Sequence, residues 1–271
     1  MDGLRVHYLD EGEASRGVAL MLHGEPTWSY LYRNLIPYFV EAGWRVVAPD
    51  LIGFGRSDKV VDEQWYTFDA HMGVLGAFIS RLDLSDITLL CQDWGGPLGL
   101  VTAAEDRERF ERLVVMNTWL HHDDYEYPQF IKDFREATQQ PGFDFGSVAP
   151  AEAQPFSQTP PAELQRAYSA PFHVPEADAG ARRFPFMLPY AEPEIGGARR
   201  QADAFEELGN WDGPAHVVFG TEDPSFSVEW GRRFAEHLGA DFDPLEGVGH
   251  FVQEAGRPVA ELMLRRIEEE P

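Results

Sequence analysis

The sequence holds one cysteine, Cys91, among 271 residues. A lone thiol cannot build an internal disulfide framework and suits a reducing compartment, so a cytoplasmic location is expected. Lysine is nearly missing too: Lys59 and Lys132 are the only two, and arginine supplies the rest of the 22 basic residues. Against these stand 46 acidic residues, for a formal net charge of −24. Such an excess argues against nucleic acid or an anionic membrane as partner, because both are polyanions. An acidic, lysine-poor surface fits a halophilic, high-salt interior where cations screen self-repulsion, and it fits equally a GC-rich genome that favours arginine. No apolar run approaches the ~20 residues of a membrane span. Met1-Asp2-Gly3-Leu4-Arg5 lacks the basic and apolar regions of a secretion signal, so no leader is expected. The glycines of Gly53-Phe54-Gly55 have the wrong spacing for a dinucleotide fingerprint. Internal repeats and low-complexity runs are missing as well.

What is present is a globular composition, 44% hydrophobic with seven tryptophans, long enough to bury a large core. Residues 4–10 alternate as a half-buried strand should, and Val18-Ala19-Leu20-Met21-Leu22 reads as a strand buried on both faces. Helical spacing follows over Ser29–Ala42, then a strand over Trp44–Ala48, a helix over Phe68–Leu82, a strand over Ile87–Cys91, a helix over Pro97–Ala104 and a strand over Arg112–Met116. Strand and helix alternate as in a mostly parallel sheet covered by helices on both faces. The rhythm breaks near Asn117. Residues 119–205 hold no strand-like run, only short helical pieces at Pro128–Ala137 and Pro161–Tyr168 among prolines and aromatics. This segment reads as an inserted helical cap between a first core part, 1–118, and a second, 206–271. The second part offers a strand at His216–Gly220, a helix at Ser227–Leu238, a short strand at Asp241–Glu246 and a closing helix at Val259–Ile267.

Chemistry enters at Cys91-Gln92-Asp93-Trp94-Gly95-Gly96, where the buried run Ile87–Cys91 ends at an acidic residue followed by two glycines. The spacing is that of a nucleophile elbow, a sharp strand-to-helix turn that pushes one side chain out at the sheet edge. Small residues at Cys91, Gly95 and Gly96 allow neighbouring backbone to pass close by. An elbow serine would attack a carbonyl carbon. A carboxylate is a poor acyl acceptor but attacks saturated carbon bearing a leaving group, giving an alkyl ester of Asp93. The competing reading makes Asp93 an ordinary turn or N-cap residue. Two further residues argue against that. Asp223 and His250 follow the later strands, completing the order acid nucleophile, acid, histidine of the α/β-hydrolase triad. His250 would be the general base on water, with Asp223 holding its tautomer; Glu222 is an adjacent competitor for that second role. The loop His23-Gly24-Glu25-Pro26-Thr27-Trp28 would donate a backbone N–H to an oxyanion hole shared with the N–H of Trp94, while the His23 imidazole reads as structural. The Trp94 indole N–H would face a departing anion, or else simply pack. His121-His122-Asp123-Asp124 reads as a polar loop rather than a metal site, since adjacent residues make poor ligand geometry.

The motifs resemble those of the haloalkane dehalogenases of the α/β-hydrolase superfamily over nearly the whole chain. The resemblance rests on His23–Arg33, Gly53–Lys59, Gln92–Pro97 and Gly249–Glu254. In the cap, Tyr168-Ser169-Ala170-Pro171-Phe172 and Arg183-Phe184-Pro185 resemble the subfamily whose triad acid follows the later strand, which favours Asp223 over a carboxylate near Asn117. It implies hydrolysis of a carbon–halogen bond in a small apolar haloalkane to alcohol, halide and a proton, with no cofactor and no metal. It also implies Asp93 as nucleophile, His250 as base, Asp223 as its partner, Trp94 as halide donor, and the N–H groups of Glu25 and Trp94 at the ester oxyanion. A monomer is expected. One position departs from the pattern: the subfamily's second halide-binding tryptophan falls, by counting back from Tyr168, on Phe156, which has no N–H donor. A lost hydrogen bond to an anion costs roughly 1.5–3 kcal/mol, so the halide would rest on Trp94 with the ring edge of Phe156 or with Trp119. Epoxide hydrolases share the Asp–His–acid machinery and add cap tyrosines as proton donors, here Tyr125, Tyr127, Tyr168 or Tyr190. A haloacetate dehalogenase would need arginines flanking Asp93, and none is there. A non-catalytic, ligand-binding hydrolase fold is the reading from another class.

Overall fold

The computed structural model describes residues 3–152 and 162–269. Seven strands form one sheet in the order β1-β3-β2-β4-β5-β6-β7. They are β1 (Tyr8–Glu11), β2 (Val18–Leu22), β3 (Arg45–Pro49), β4 (Ile87–Gln92), β5 (Phe110–Met116), β6 (Ala215–Gly220) and β7 (Asp241–Leu245). Only β1 runs antiparallel, against β3; every other neighbouring pair is parallel. The helices are α1 (Ile36–Glu41), α2 (Phe68–Arg81), α3 (Gly95–Glu105), α4 (Gln129–Ala137), α5 (Phe145–Glu152), α6 (Ala162–Ser169), α7 (Ala179–Arg183), α8 (Ala198–Leu208), α9 (Val228–Leu238) and α10 (Arg257–Glu269).

The apolar runs become strands because both faces of the sheet are covered. In β2, Val18, Leu20 and Leu22 pack with residues of α2 and α3, while Ala19 and Met21 pack with residues of α1 and α10. Successive strand side chains point to opposite faces, so a run without polar interruption is what a doubly covered strand requires. The helix starts are set locally. Thr67 caps α2 by accepting from the Ala70 N–H, and Ser227 caps α9 by accepting from the Trp230 N–H. The span expected as one helix from Ser29 to Ala42 is two pieces, a 3-10 stretch over Ser29–Asn34 and then α1. Pro37 is the reason: it has no N–H to return to the Arg33 carbonyl, so an unbroken ladder cannot form, and Pro37 sits in the first turn of a new helix instead.

Between β5 and β6 the described residues form no strand. Helices α4 to α8 and short 3-10 turns fill this part of the chain instead. Ion pairs tie this segment to the rest: Arg182 to Glu63 at 3.0 Å, and Arg200 to both Asp69 and Glu105 at 2.7 and 2.5 Å. No helix among the described residues is long and apolar enough to cross a membrane.

Candidate active site

The site begins at the end of β4, whose six residues are all buried. The next residue, Asp93, has φ +49°, a left-handed conformation that non-glycine residues adopt at a cost of roughly 1–2 kcal/mol. Hydrogen bonds hold it there. Its N–H donates to the Asn117 carbonyl at 3.0 Å, and its own carbonyl accepts from the Gly96 N–H at 2.8 Å and the Thr118 hydroxyl at 2.6 Å. The glycines are required by close approach. A Cβ on Gly95 would run into the Leu22 carbonyl, one on Gly96 into the Thr118 side chain, and one on Gly24 into Asp93 itself. Cys91 is fully buried beside this turn, and burial pushes its thiol pKa up, so it carries no thiolate chemistry.

The sheet order brings three more loops to Asp93. From beyond β2, the Glu25 N–H donates to Asp93 Oδ1 at 2.7 Å, and the Trp94 N–H also hydrogen-bonds this carboxylate. From beyond β6, Asp223 accepts at Oδ2 from His250 Nδ1 at 2.9 Å and from the Asn117 amide at 2.6 Å, and at Oδ1 from the Ser225 N–H at 2.6 Å. From beyond β7, His250 turns Nε2 toward Asp93 Oδ2 at 3.7 Å. An imidazole that donates from Nδ1 to a carboxylate carries its lone pair on Nε2, the atom that can take a proton from water. Burial lifts the Asp93 carboxyl pKa above its ordinary value; His250 and the two backbone N–H donors offset part of that rise. Glu222, the neighbour of Asp223, is exposed, and it is Asp223 that pairs with His250 Nδ1.

His23 sits beneath this centre. Its Nδ1 donates to the Gly24 carbonyl at 2.9 Å and its Nε2 accepts from the Leu51 N–H at 2.9 Å, which fixes a neutral tautomer. Burial holds its pKa down, so it braces the loop that presents Glu25.

A small cavity of about 50 Å³ opens above Asp93. Its walls include Trp94 and Phe226, then Trp119, Phe130, Ile131, Phe134 and Leu188 from the segment between β5 and β6, with Phe130, Ile131 and Phe134 on α4. The Trp94 ring is held edge-on between Trp119, with centroids 5.0 Å apart, and Phe184, at 5.1 Å. Phe156 lies outside the described residues. The sequence has no tryptophan between 120 and 205, so no cap residue there offers an indole N–H. None of the four cap tyrosines is among the described walls of the cavity. The Tyr168 hydroxyl donates to Glu254, and that of Tyr127 meets His121. His121-His122-Asp123-Asp124 lies in the loop between β5 and α4.

Sequence reasoning passed over three contributors. Asn117, noted only as the place where the strand rhythm stops, ties β5 to the triad acid. Gln92, quoted for elbow spacing and as part of a family motif but given no role, has its amide 2.7 Å from His250 Nε2. The Phe130, Ile131 and Phe134 wall carried a weak signal, the apolar face of a short helix; which side it turns to the core is a matter of packing.

Comparison with known proteins bears on the fold and the family. The family described as the alpha/beta hydrolase fold matches residues 18–256. A protein named haloalkane dehalogenase from Psychrobacter cryohalolentis is 37% identical, over 99% of this chain and 89% of its own length. One of the same name from Mycobacterium marinum is 39% identical, over 94% of this chain and 86% of its own. Among solved structures, a tetrameric haloalkane dehalogenase from Paraglaciecola agarilytica superposes with a TM-score of 0.89 at 35% identity, covering 97% of this chain and 88% of that one.

Proposed function

The chain belongs to the haloalkane dehalogenases of the α/β-hydrolase fold, and from that membership we propose that it hydrolyses small haloalkanes through an alkyl ester on Asp93. Asp93 Oδ1 is engaged by the Glu25 N–H and the Trp94 N–H also bonds this carboxylate, while Oδ2 faces His250; Oδ2 is the oxygen we assign to attack on substrate. In-line attack on the halogen-bearing carbon forms the carbon–oxygen bond as the carbon–halogen bond breaks. The leaving halide moves toward the indole N–H of Trp94. A soft anion is well served by an N–H donor on an apolar ring, which shares its proton in a hydrogen bond without transferring it. His250 then takes a proton from water, the hydroxide adds to the ester carbonyl carbon, and the Glu25 and Trp94 N–H groups hold the oxyanion. Asp223 fixes the imidazole tautomer throughout and stabilises its charged form.

The observation that carries this reading is the carboxylate at the elbow, with Oδ1 held by the Glu25 N–H, Oδ2 facing His250, and the residue on the wall of a cavity rich in aromatic side chains. The epoxide alternative lacks its proton donor, because the described cavity wall contains no tyrosine. In the same reading, residues 119–205 cap the site and exclude water, and the protein works as a monomer in a cytoplasm. The tetramer of the Paraglaciecola relative makes light scattering the check on the monomer.

Wild type and His250→Phe, mixed with a brominated short alkane, test the chemistry. Wild type should release bromide and protons continuously. The variant should give a burst of about one bromide per enzyme and then stall with the alkyl group on the Asp93 peptide, seen by mass spectrometry. Diol formation from an epoxide with no bromide release would overturn the reading.

A further inference from the structure

We propose that Gln92 is a positioning residue for the base, with an amide that turns over as His250 changes protonation state. This rests on the dehalogenase reading above. Gln92 is fully buried at the end of β4, and its side-chain nitrogen lies 2.7 Å from His250 Nε2. His250 Nδ1 is committed to Asp223 at 2.9 Å. In the neutral imidazole, Nε2 therefore has a lone pair and no hydrogen, and the group that bonds it must be a donor. The amide N–H is that donor.

The same contact becomes impossible once water has given its proton to Nε2, because two donors would then face each other. The Gln92 side chain holds the remedy. Its Oε1 is buried and has no hydrogen-bond partner. A half-turn of the amide brings Oε1 to the new Nε2–H and breaks no other hydrogen bond of that oxygen. An amide can serve both states because it carries a donor and an acceptor on one rotor. A fixed donor would hold the imidazole neutral, and a fixed acceptor would hold it charged.

The steps balance. A water O–H bond breaks, its proton goes to Nε2, and the hydroxide oxygen bonds to the Asp93 ester carbon. The tetrahedral intermediate expels the alkoxide, which takes the proton from Nε2 and leaves as alcohol. Gln92 donates to Nε2 before the first transfer, yields to the water, accepts from Nε2–H through the intermediate, and donates again after the second. Other charged or titratable groups around His250 are Asp93 at 3.7 Å, Asp223, the Glu25 carboxyl on the cavity wall, and Tyr125 near Asp223. Of these, Asp93 is esterified at that stage and Asp223 holds Nδ1, so neither can alternate between donor and acceptor at Nε2, where the Gln92 amide lies at 2.7 Å.

Two substitutions separate this role from a structural one. Gln92→Met keeps volume and removes both functions; Gln92→Glu keeps shape and leaves only an acceptor. Rapid-mixing experiments with a brominated alkane read ester formation as the halide burst, and ester breakdown as loss of the alkyl-enzyme mass. Both variants should form the ester as wild type does, which also reports folding. Gln92→Met should break it down roughly tenfold or more slowly, from one lost charge-assisted hydrogen bond. Gln92→Glu should move the pH profile of breakdown upward by about one to three units, because a carboxylate at Nε2 stabilises the imidazolium. Breakdown at the wild-type rate and pH profile in both variants would overturn the proposal. So would loss of the burst in either, which would place Gln92 in the elbow rather than on the base. A wild type that releases no halide would instead sink the dehalogenase reading, and is distinguishable for that reason.

Discussion

At the scale of the residue, Asp93 carries two costs that function imposes on folding. One is backbone conformation, the left-handed φ of +49°. The other is charge: burial raises its carboxyl pKa, with the Glu25 and Trp94 N–H donors and His250 offsetting only part. A carboxyl whose folded pKa exceeds its unfolded value favours the folded state in full only below the unfolded pKa. That contribution is lost as pH rises through the folded pKa, so at neutral pH the ionised group weighs against folding. Asparagine carries no charge and tolerates left-handed backbone better than most residues. Asp93→Asn should therefore abolish halide release and yet melt a few degrees above wild type at pH 7 to 8, with the gap narrowing as the pH falls toward the carboxylate range. Calorimetry across pH checks this, and a variant no more stable than wild type at pH 8 would contradict it. Asp93 was legible from sequence because an acid between Gln92 and Trp94-Gly95-Gly96 ends an apolar run. Its strain and its partners were less so: nothing in the string says that Asn117 and Thr118 on the next strand's end hold the turn.

At the scale of the element, strands were legible and cap helices only partly. Val18–Leu22, Ile87–Gln92 and Ala215–Gly220 are buried at every position, and short apolar runs broken only by Thr88, Gln92 and His216 read as strands covered on both faces. The cap lacks such a constraint, because its short helices are only partly buried and divide their faces between solvent and neighbouring elements, with α4 and α5 reaching the cavity as well. Its attachment shows how much escapes periodicity. Tyr168 on α6 is fully buried and donates to Glu254 Oε1 at 2.5 Å, and Arg33 grips both oxygens of Glu254 at 2.6 and 2.7 Å. Burial and the negative charge of Glu254 push the Tyr168 pKa far above its usual value, so the phenol stays protonated and donating. One contact thus joins the cap, the 3-10 stretch of Ser29–Asn34 and the turn that follows His250. Tyr168→Phe removes a hydrogen bond to a charged acceptor while Arg33 still pairs with Glu254, which puts the cost at roughly 1.5–3 kcal/mol. Denaturant unfolding should show that loss, together with a raised KM for haloalkane from a cap less firmly seated over the cavity. An unchanged midpoint would mean the contact contributes nothing to stability.

At the scale of the whole molecule the governing quantity is the net charge of −24. Arginines do engage carboxylates across the surface, as Arg200 with Asp69 and Glu105, Arg45 with Asp10, and Arg266 with Asp241 and Asp243. Exposed pairs of this kind contribute about 0–1 kcal/mol each, and acidic residues outnumber basic ones by 46 to 22, so repulsion among the excess carboxylates outweighs the attraction within the pairs. Salt screens attraction and repulsion alike, with the Debye length falling to about 3 Å at 1 M. Because repulsion is the stronger of the two, raising KCl from about 0.05 to about 1 M should raise the melting temperature. Chloride brings a second route to the same result, because a halide bound at Trp94 would stabilise the folded state by mass action. Trp94→Phe removes the indole donor and leaves the surface charge unchanged. A rise of equal size in the variant assigns the effect to screening of the acidic surface and supports a protein adapted to high salt. If the rise vanishes with the indole, the site explains it, and the acidity of this chain has no bearing on its stability.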